Sequence, residues 1–260
     1  MKKLLLFVAL CLFGLTSQLN AQTSAEVVIG SGDNYIHAES PINLFYAYSF
    51  SQMIYTADEI NQLSGFISSV SFRMHQSYCV RNLSVYLQNT DKESFTNDRD
   101  YVQVSSGDLV FDGDVNLSEL VNGWFTIKLN EPFKYDGGNL LVCLDDNTGD
   151  YEDEIYFYHY PASEDIRRTI SSYTDYFDLT WENAENGDYS FNPTSKGYYI
   201  NPQIKFDMII GDELPVIAVK PNVLDFGYCA SGAWTPSQKV SISAMQDIVS
   251  ITSISNENQY

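Results

Sequence analysis

The densest run of hard oxygen donors in the chain is Asp145-Asp146-Asn147-Thr148-Gly149-Asp150, followed by Glu152, Asp153 and Glu154. Carboxylates with loop carbonyls are the ligands that Ca²⁺ takes in a shell of about six to eight oxygens. Asp145, Asp146, Asn147 and Asp150 are therefore the candidate Ca²⁺ ligands, although the spacing is not that of an EF-hand loop. The same residue types build turns without any metal. Asp112-Gly113-Asp114 is a weaker acidic candidate and reads first as a hairpin turn. Zinc chemistry is not suggested, because His37, His75 and His159 lie far apart and no paired Cys or His spacing occurs.

Signs of catalysis are equally sparse. The chain has no Gly-x-Ser-x-Gly elbow, no His-Glu-x-x-His and no phosphate-cradling glycine loop. A carboxylate pair for glycoside hydrolysis needs only two acids about 5 to 10 Å apart, which sequence does not fix. With 34 acids in the chain, such a pair carries little weight. No catalytic residue is expected.

Aromatic residues form the third chemistry. Tyr156, Tyr158, Tyr160, Tyr173, Tyr176, Trp181, Tyr189 and Phe191 are laced with Asp, Asn and Ser. Ring faces stack on sugar C–H surfaces or on partner side chains while polar tips fix orientation. Rings of this kind also serve as core or cross-strand ladders. The segment 171–193 reads as a long polar loop and an exposed platform, with Trp181 and Tyr176 first, then Tyr173 and Tyr189.

Extended segments must position these groups. Period-two alternation marks 66–74, 83–87, 124–129, 155–160 and 198–206, and 140–144 is a continuous apolar run. Asn, Asp, Gly and Ser clusters separate them. In 156–160 the three tyrosines should share one face, opposite Phe157. Helical signal is confined to short turns near 56–60 and 118–121. The expected fold is all-β: an antiparallel β-sandwich of jelly-roll type over 25–210. A boundary falls near Gly211-Asp212-Glu213-Leu214-Pro215. The tail, 215–260, reads as the opening strands of an immunoglobulin-like domain, expected to be incomplete because its 46 residues fall short of the ~100 of such a sandwich.

Several framework strings carry a family resemblance. They are Ile29-Gly30-Ser31-Gly32, Pro41-Ile42-Asn43 with Tyr46, Tyr48 and Ser49, and Gln52-Met53-Ile54-Tyr55. Residues 67–72, 82–87 and 142–149 continue the series, and Leu224-Asp225-Phe226-Gly227 extends it into the tail. Together they resemble modules of large secreted surface proteins of the Bacteroidota, similar to the adhesin regions of gingipain and haemagglutinin type. The resemblance implies a jelly-roll-like module followed by an immunoglobulin-like repeat, and export by the type IX route.

The amino terminus and the charge agree with an extracellular life. Met1-Lys2-Lys3, the apolar residues 4–15 and the small residues ending at Ala21 form a secretory leader, too short to span a bilayer. Without residues 1–21, 12 basic residues face 34 acidic ones, a formal charge of −22. Such a surface repels phosphate backbones and anionic headgroups, so neither nucleic acid nor direct membrane insertion is expected. Cys79, Cys143 and Cys229 remain. An oxidising compartment permits one disulfide, with Cys79 to Cys143 the first choice, though spacing does not fix the pairing. The expectation is a non-catalytic binding or adhesion module for an extracellular glycan or protein, secreted or displayed on the cell surface. The alternatives are an accessory domain of a larger secreted peptidase and a sandwich-fold glycosidase.

Overall fold

A computed structural model describes residues 23–37, 40–62, 64–75, 79–152, 156–162, 166–186, 194–211, 217–220 and 241–244. The expected leader at 1–21, Tyr189, Cys229 and the 224–227 string lie outside the described residues. The chain divides into two units, one of which is Thr23–Leu214. In the other, the described strands are Ile217–Lys220 and Ser241–Ala244, an antiparallel pair. No helix among the described residues is long and apolar enough to cross a membrane.

The unit Thr23–Leu214 is all-β, in antiparallel sheets packed as a sandwich. Its strands are β1 (Thr23–Ile29), β2 (Tyr35–His37), β3 (Tyr48–Tyr55), β4 (Gly65–Arg73), β5 (Val80–Thr90), β6 (Leu109–Asn116) and β7 (Trp124–Tyr135). They continue as β8 (Asn139–Asp146), β9 (Tyr156–Pro161), β10 (Thr169–Thr174), β11 (Thr194–Tyr198), β12 (Ile200–Pro202) and β13 (Ile204–Ile210). Two short helices, α1 (Ala57–Ile60) and α2 (Trp181–Asn186), interrupt them.

One sheet runs β1-β13-β4-β7 and the other β11-β10-β3-β8-β5-β6. Set aside the accessory strands, and eight remain in chain order: β1, β3, β4, β5, β6, β7, β8, β13. They fill the first sheet as first, eighth, third, sixth and the second as second, seventh, fourth, fifth. That order is the double Greek key of a jelly roll. The connection from β8 to β13 supplies β9 to β12. Of these, β10 and β11 widen the second sheet beyond β3, while β12-β9-β2 forms a small third sheet.

Alternation explains the packing. Leu140, Val142 and Leu144 of β8 join the inner core with Met53, Leu83, Val85, Phe72, Phe125 and Phe206. Leu141 and Cys143 point the other way, into a second cluster with Phe50, Ile54, Phe95, Tyr101, Ile170 and Leu179. The second sheet is therefore buried on both faces, which is why 140–144 reads as an unbroken apolar run. Its outer cover is made by the β5–β6 connection and by the segment that runs into α2. In β9, Phe157 and His159 are buried while Tyr156, Tyr158 and Tyr160 are half-exposed, the arrangement the alternation predicts.

Four local expectations differ from the structure. Residues 171–174, expected to open the long loop, belong instead to the buried strand β10. Small serines and threonines there look like loop in sequence, yet they let two layers approach. Asp112-Gly113-Asp114 is not a hairpin turn: it lies inside β6, where Ser84 donates to Asp112 and Asn82 to Asp114 across the strand pair. The 118–121 segment is not helical: it leaves a turn at 117–118 and runs without regular structure to the Val121–Trp124 bridge. Finally, Cys79 does not pair with Cys143. Cys143 opposes Tyr86, seven residues along β5 from Cys79, so the sulfurs stand roughly 20 Å apart. A disulfide needs Cα atoms within about 7 Å. The expected turn at 56–60 is present as α1, with Glu59 accepting from both the N–H and the hydroxyl of Thr56.

Candidate functional site

β3 begins, and β8 and β10 end, at one rim of the second sheet. Ser49 opposes Asp146, Tyr48 opposes Thr174 and Leu83 opposes Asp146. Three loops meet there, and backbone hydrogen bonds lock them together. Gly149 N–H donates to Ala47 O at 2.9 Å and Glu152 N–H to Leu44 O at 2.6 Å. Ala47 N–H in turn donates to Asp175 Oδ1 at 3.1 Å.

The clasp beneath them is Arg81, whose side chain is 1% exposed. A lone arginine in the apolar alternation of β5 faces inward and must find partners. Its Nε donates to Asp146 Oδ2 at 3.0 Å and its Nη1 to Asp150 O at 2.7 Å, while Nη2 reaches Asp146 and Tyr46 O. Burial raises the Asp146 carboxyl above its ordinary value, and the guanidinium offsets only part of that rise. Arginine stays protonated, so its guanidinium favours the carboxylate form of Asp146. Asp146 Oδ1 also accepts from the N–H and hydroxyl of Thr148, closing the turn.

Above the clasp sit the rings. Tyr46 and Tyr173 lie with ring centroids 4.3 Å apart and planes tilted by 35°, and Lys196 Nζ lies 5.8 Å from the Tyr173 ring centre. Tyr48 is half-buried beneath Gly149, where an added Cβ would come within 3.2 Å of the tyrosine hydroxyl oxygen. Gly149 also holds φ +74°, which a side chain disfavours. Tyr151 and Tyr176 flank the 44–47 loop and are 62% and 66% exposed.

The sequence-derived residues divide accordingly. Tyr176 is the exposed ring expected. Tyr173 belongs to the rim but is 5% exposed, so it backs Tyr46 rather than offering a face. Trp181 is half-buried against the outer core because α2 lies down on the sheet. Tyr189 lies outside the described residues. In sequence Tyr46 and Tyr48 stood out only as framework matches, and Tyr151 and Arg81 went unnoticed. The available signals were the solitary arginine in an apolar strand and a tyrosine inside a turn-forming acidic run.

The four candidate Ca²⁺ ligands do not converge. Side chains alternate along β8, so Asp146 points inward to Arg81 and Asp145 points to the outer face. Asp150 contributes its carbonyl to Arg81 and its carboxylate to Tyr151 N–H. Among the described residues no group of three or more His, Cys, Asp or Glu is arranged to hold a metal ion. Asp145 instead keeps company with Asp178, Asn147 and Asp112. Burial first, then Asp178, pushes its carboxyl well above the ordinary range, against a hydrogen bond from Asn147. Burial and then Asp145 push Tyr86 up to about 12.

Other reactive groups are held by the fold. His159 Nδ1 contacts Phe157 O and its Nε2 contacts Ser40 O, and burial pulls its pKa down to about 4. Burial raises the Cys143 thiol well above its usual value. A polar cavity of about 380 Å³ lies at the opposite end, beside α1 and Arg168. A groove of about 330 Å³ separates β6 from β7.

No protein family, no curated protein and no solved structure matches the chain. Its function has to be read from this geometry.

Proposed function

We propose that the chain is an extracellular, non-catalytic binding module that recognises a glycan or a protein through the tyrosine-lined rim. One observation carries the reading: Tyr151 and Tyr176 stand largely in water on loops pinned by hydrogen bonds to the 44–47 loop. Large rings left exposed on a fixed scaffold lose little entropy when they bind, and they provide flat apolar faces with polar edges. The covered outer face of the second sheet supports the rim over that face as the place of contact. The leader-like residues 1–21 support export, and the framework strings support an adhesin-type module.

A glycan and host-protein array probed with the purified chain tests the proposal. Removing two stacking rings, each worth about 1 kcal/mol, should weaken the leading interaction at least about tenfold. Y151A/Y176A should do so while leaving the melting temperature in place. Full retention of binding by a folded Y151A/Y176A variant would refute the rim. Export is checked separately, by sequencing the amino terminus of the secreted protein, which should begin at Gln22.

A further inference from the structure

We infer that the cavity beside α1 is a second binding site, separate from the tyrosine rim, and that it takes a neutral sugar. The inference does not depend on the rim.

The walls of the cavity come from one end of the second sheet. Ala57 and Asp58 follow β3, Glu93 follows β5, Asn139 opens β8 and Arg168 precedes β10. Hydrogen bonds between these segments hold the walls in place. Asn139 Oδ1 accepts from Ala57 N–H at 2.9 Å, and Asn139 Nδ2 donates to Lys92 O at 3.2 Å. Phe95 N–H donates to Arg167 O at 2.8 Å and Ile54 N–H to Arg168 O at 2.9 Å. A ligand would therefore meet a preformed hollow.

Its chemistry centres on Arg168, whose side chain is 13% exposed. Nη1 donates to Glu59 Oε2 at 2.6 Å. The Glu59 carboxylate is saturated, because it also accepts from the N–H and hydroxyl of Thr56 and from the Tyr160 hydroxyl. Arg168 Nε is buried yet finds no acceptor among the described residues. A buried donor without an acceptor is rare in a native fold. Asp58 and Glu93 line the same cavity and are exposed, offering acceptors alone.

A fitting ligand gives an acceptor to the guanidinium and donors to the two carboxylates. A hydroxyl does both and carries no charge. An anion would lie among Glu59, Asp58 and Glu93, and a simple cation has no acceptor for Arg168. Neighbouring hydroxyls on a sugar ring meet the demand, with Ala57 and Ile166 as apolar contact for its C–H groups. The volume of about 380 Å³ lies at the small end of the roughly 300–1,000 Å³ of small-molecule sites. That suits a mono- or disaccharide.

The probes are the methyl glycosides of glucose, galactose, mannose and N-acetylglucosamine. Saturation-transfer NMR with the full chain finds the binder, and calorimetry gives its Kd. D58A/E93A and R168K should each weaken binding at least about tenfold, the effect of losing hydrogen bonds to charged groups. R168K keeps a positive charge beside Glu59 and removes only the guanidinium donors. Y151A/Y176A should bind as wild type does. Affinity should change less than about twofold between about 0.05 M and 0.5 M salt, because screening does not act on a neutral ligand.

Silence from every neutral glycoside, or wild-type affinity in folded D58A/E93A and R168K, would overturn the cavity site. Loss in Y151A/Y176A with retention in D58A/E93A would put the sugar on the rim, so the cavity fails while the rim stands. Glucose 6-phosphate and glucosamine are the charged counterparts, and tighter binding of either would overturn the neutral class. Thermal melts accompany every variant, and D58A/E93A decides the outcome should R168K not fold.

Discussion

Replacing Arg81 with methionine should cost the protein about 3–5 kcal/mol, because it strands a carboxylate inside the fold. The magnitude follows from the geometry. Arg81 and Asp146 are each 1% exposed at their side chains. The substitution deletes all three contacts to the carboxylate and the donors to Asp150 O and Tyr46 O. At about 2–4 °C per kcal/mol for a unit of this size, the melting temperature should fall by roughly 6–20 °C. Urea denaturation of wild type, R81M, D146N and R81M/D146N forms a double-mutant cycle. The double variant should recover much of the loss, since asparagine keeps the Thr148 turn without the charge. The pH dependence has a definite sign. In R81M the Asp146 carboxyl loses the guanidinium that pulled it down, so its folded pKa lies further above the unfolded value. The native state then holds the extra proton between those two values, and stability falls as pH rises through that window. The R81M deficit should be smallest in acid and largest at neutral pH. A cost below about 1 kcal/mol, or a double variant that simply adds the two single costs, would refute the clasp.

Three further outcomes follow from the same structure. D145N should raise stability at neutral pH and flatten its pH profile: burial and Asp178 raise the Asp145 carboxyl, so its favourable contribution exists in acid and is lost as pH rises, at about 1.4 kcal/mol per pKa unit. Urea midpoints between about pH 4 and pH 8 would check it. Cys143 should resist iodoacetamide in the native state at least about 100-fold better than in urea, since its thiol is buried and its pKa raised; mass spectrometry reads the label. G65A should cost about 1–3 kcal/mol, because an added Cβ would lie 2.5 Å from Ile209 O, a backbone atom of the adjacent strand.

The fold was largely legible because period-two alternation maps directly onto faces of a sheet. Tyr156, Tyr158 and Tyr160 against Phe157 and the apolar run at 140–144 both sit as their patterns require. The strand at 169–174 was hidden for a physical reason. Ser171 and Ser172 are fully buried, but small hydroxyl residues carry no apolar signature even when they line a tight interface. The site was harder. Asp145 and Asp146 look equivalent in sequence, yet the pleat sends them to opposite faces, one toward Asp178 and the other to Arg81. Tyr173 and Trp181 are rings like Tyr176, and only the long-range packing of β10 on β3 and of α2 on the sheet tells which are covered.

That covering also determines where recognition can occur. An open jelly-roll sheet would present its outer face as a broad groove, but here Phe95, Tyr101, Leu179 and Ala184 fill that face. Apolar area spent on a second core gives rigidity to the strand ends that border it, and the rim inherits that rigidity. The loops there have few degrees of freedom left once Gly149, Glu152 and Asp175 have engaged the 44–47 loop. Ordering cost on binding is thereby reduced, so even two modest ring contacts become productive. Weakening the outer core at a distance should consequently weaken rim binding. L179A deletes a fully buried side chain beneath the segment that carries Tyr176, without touching either exposed ring. The expected result is a loss of about 2–5 kcal/mol in stability together with weaker binding under conditions where the chain is still fully folded. Unchanged affinity in folded L179A would mean that the rim loops are held by the Arg81 clasp alone.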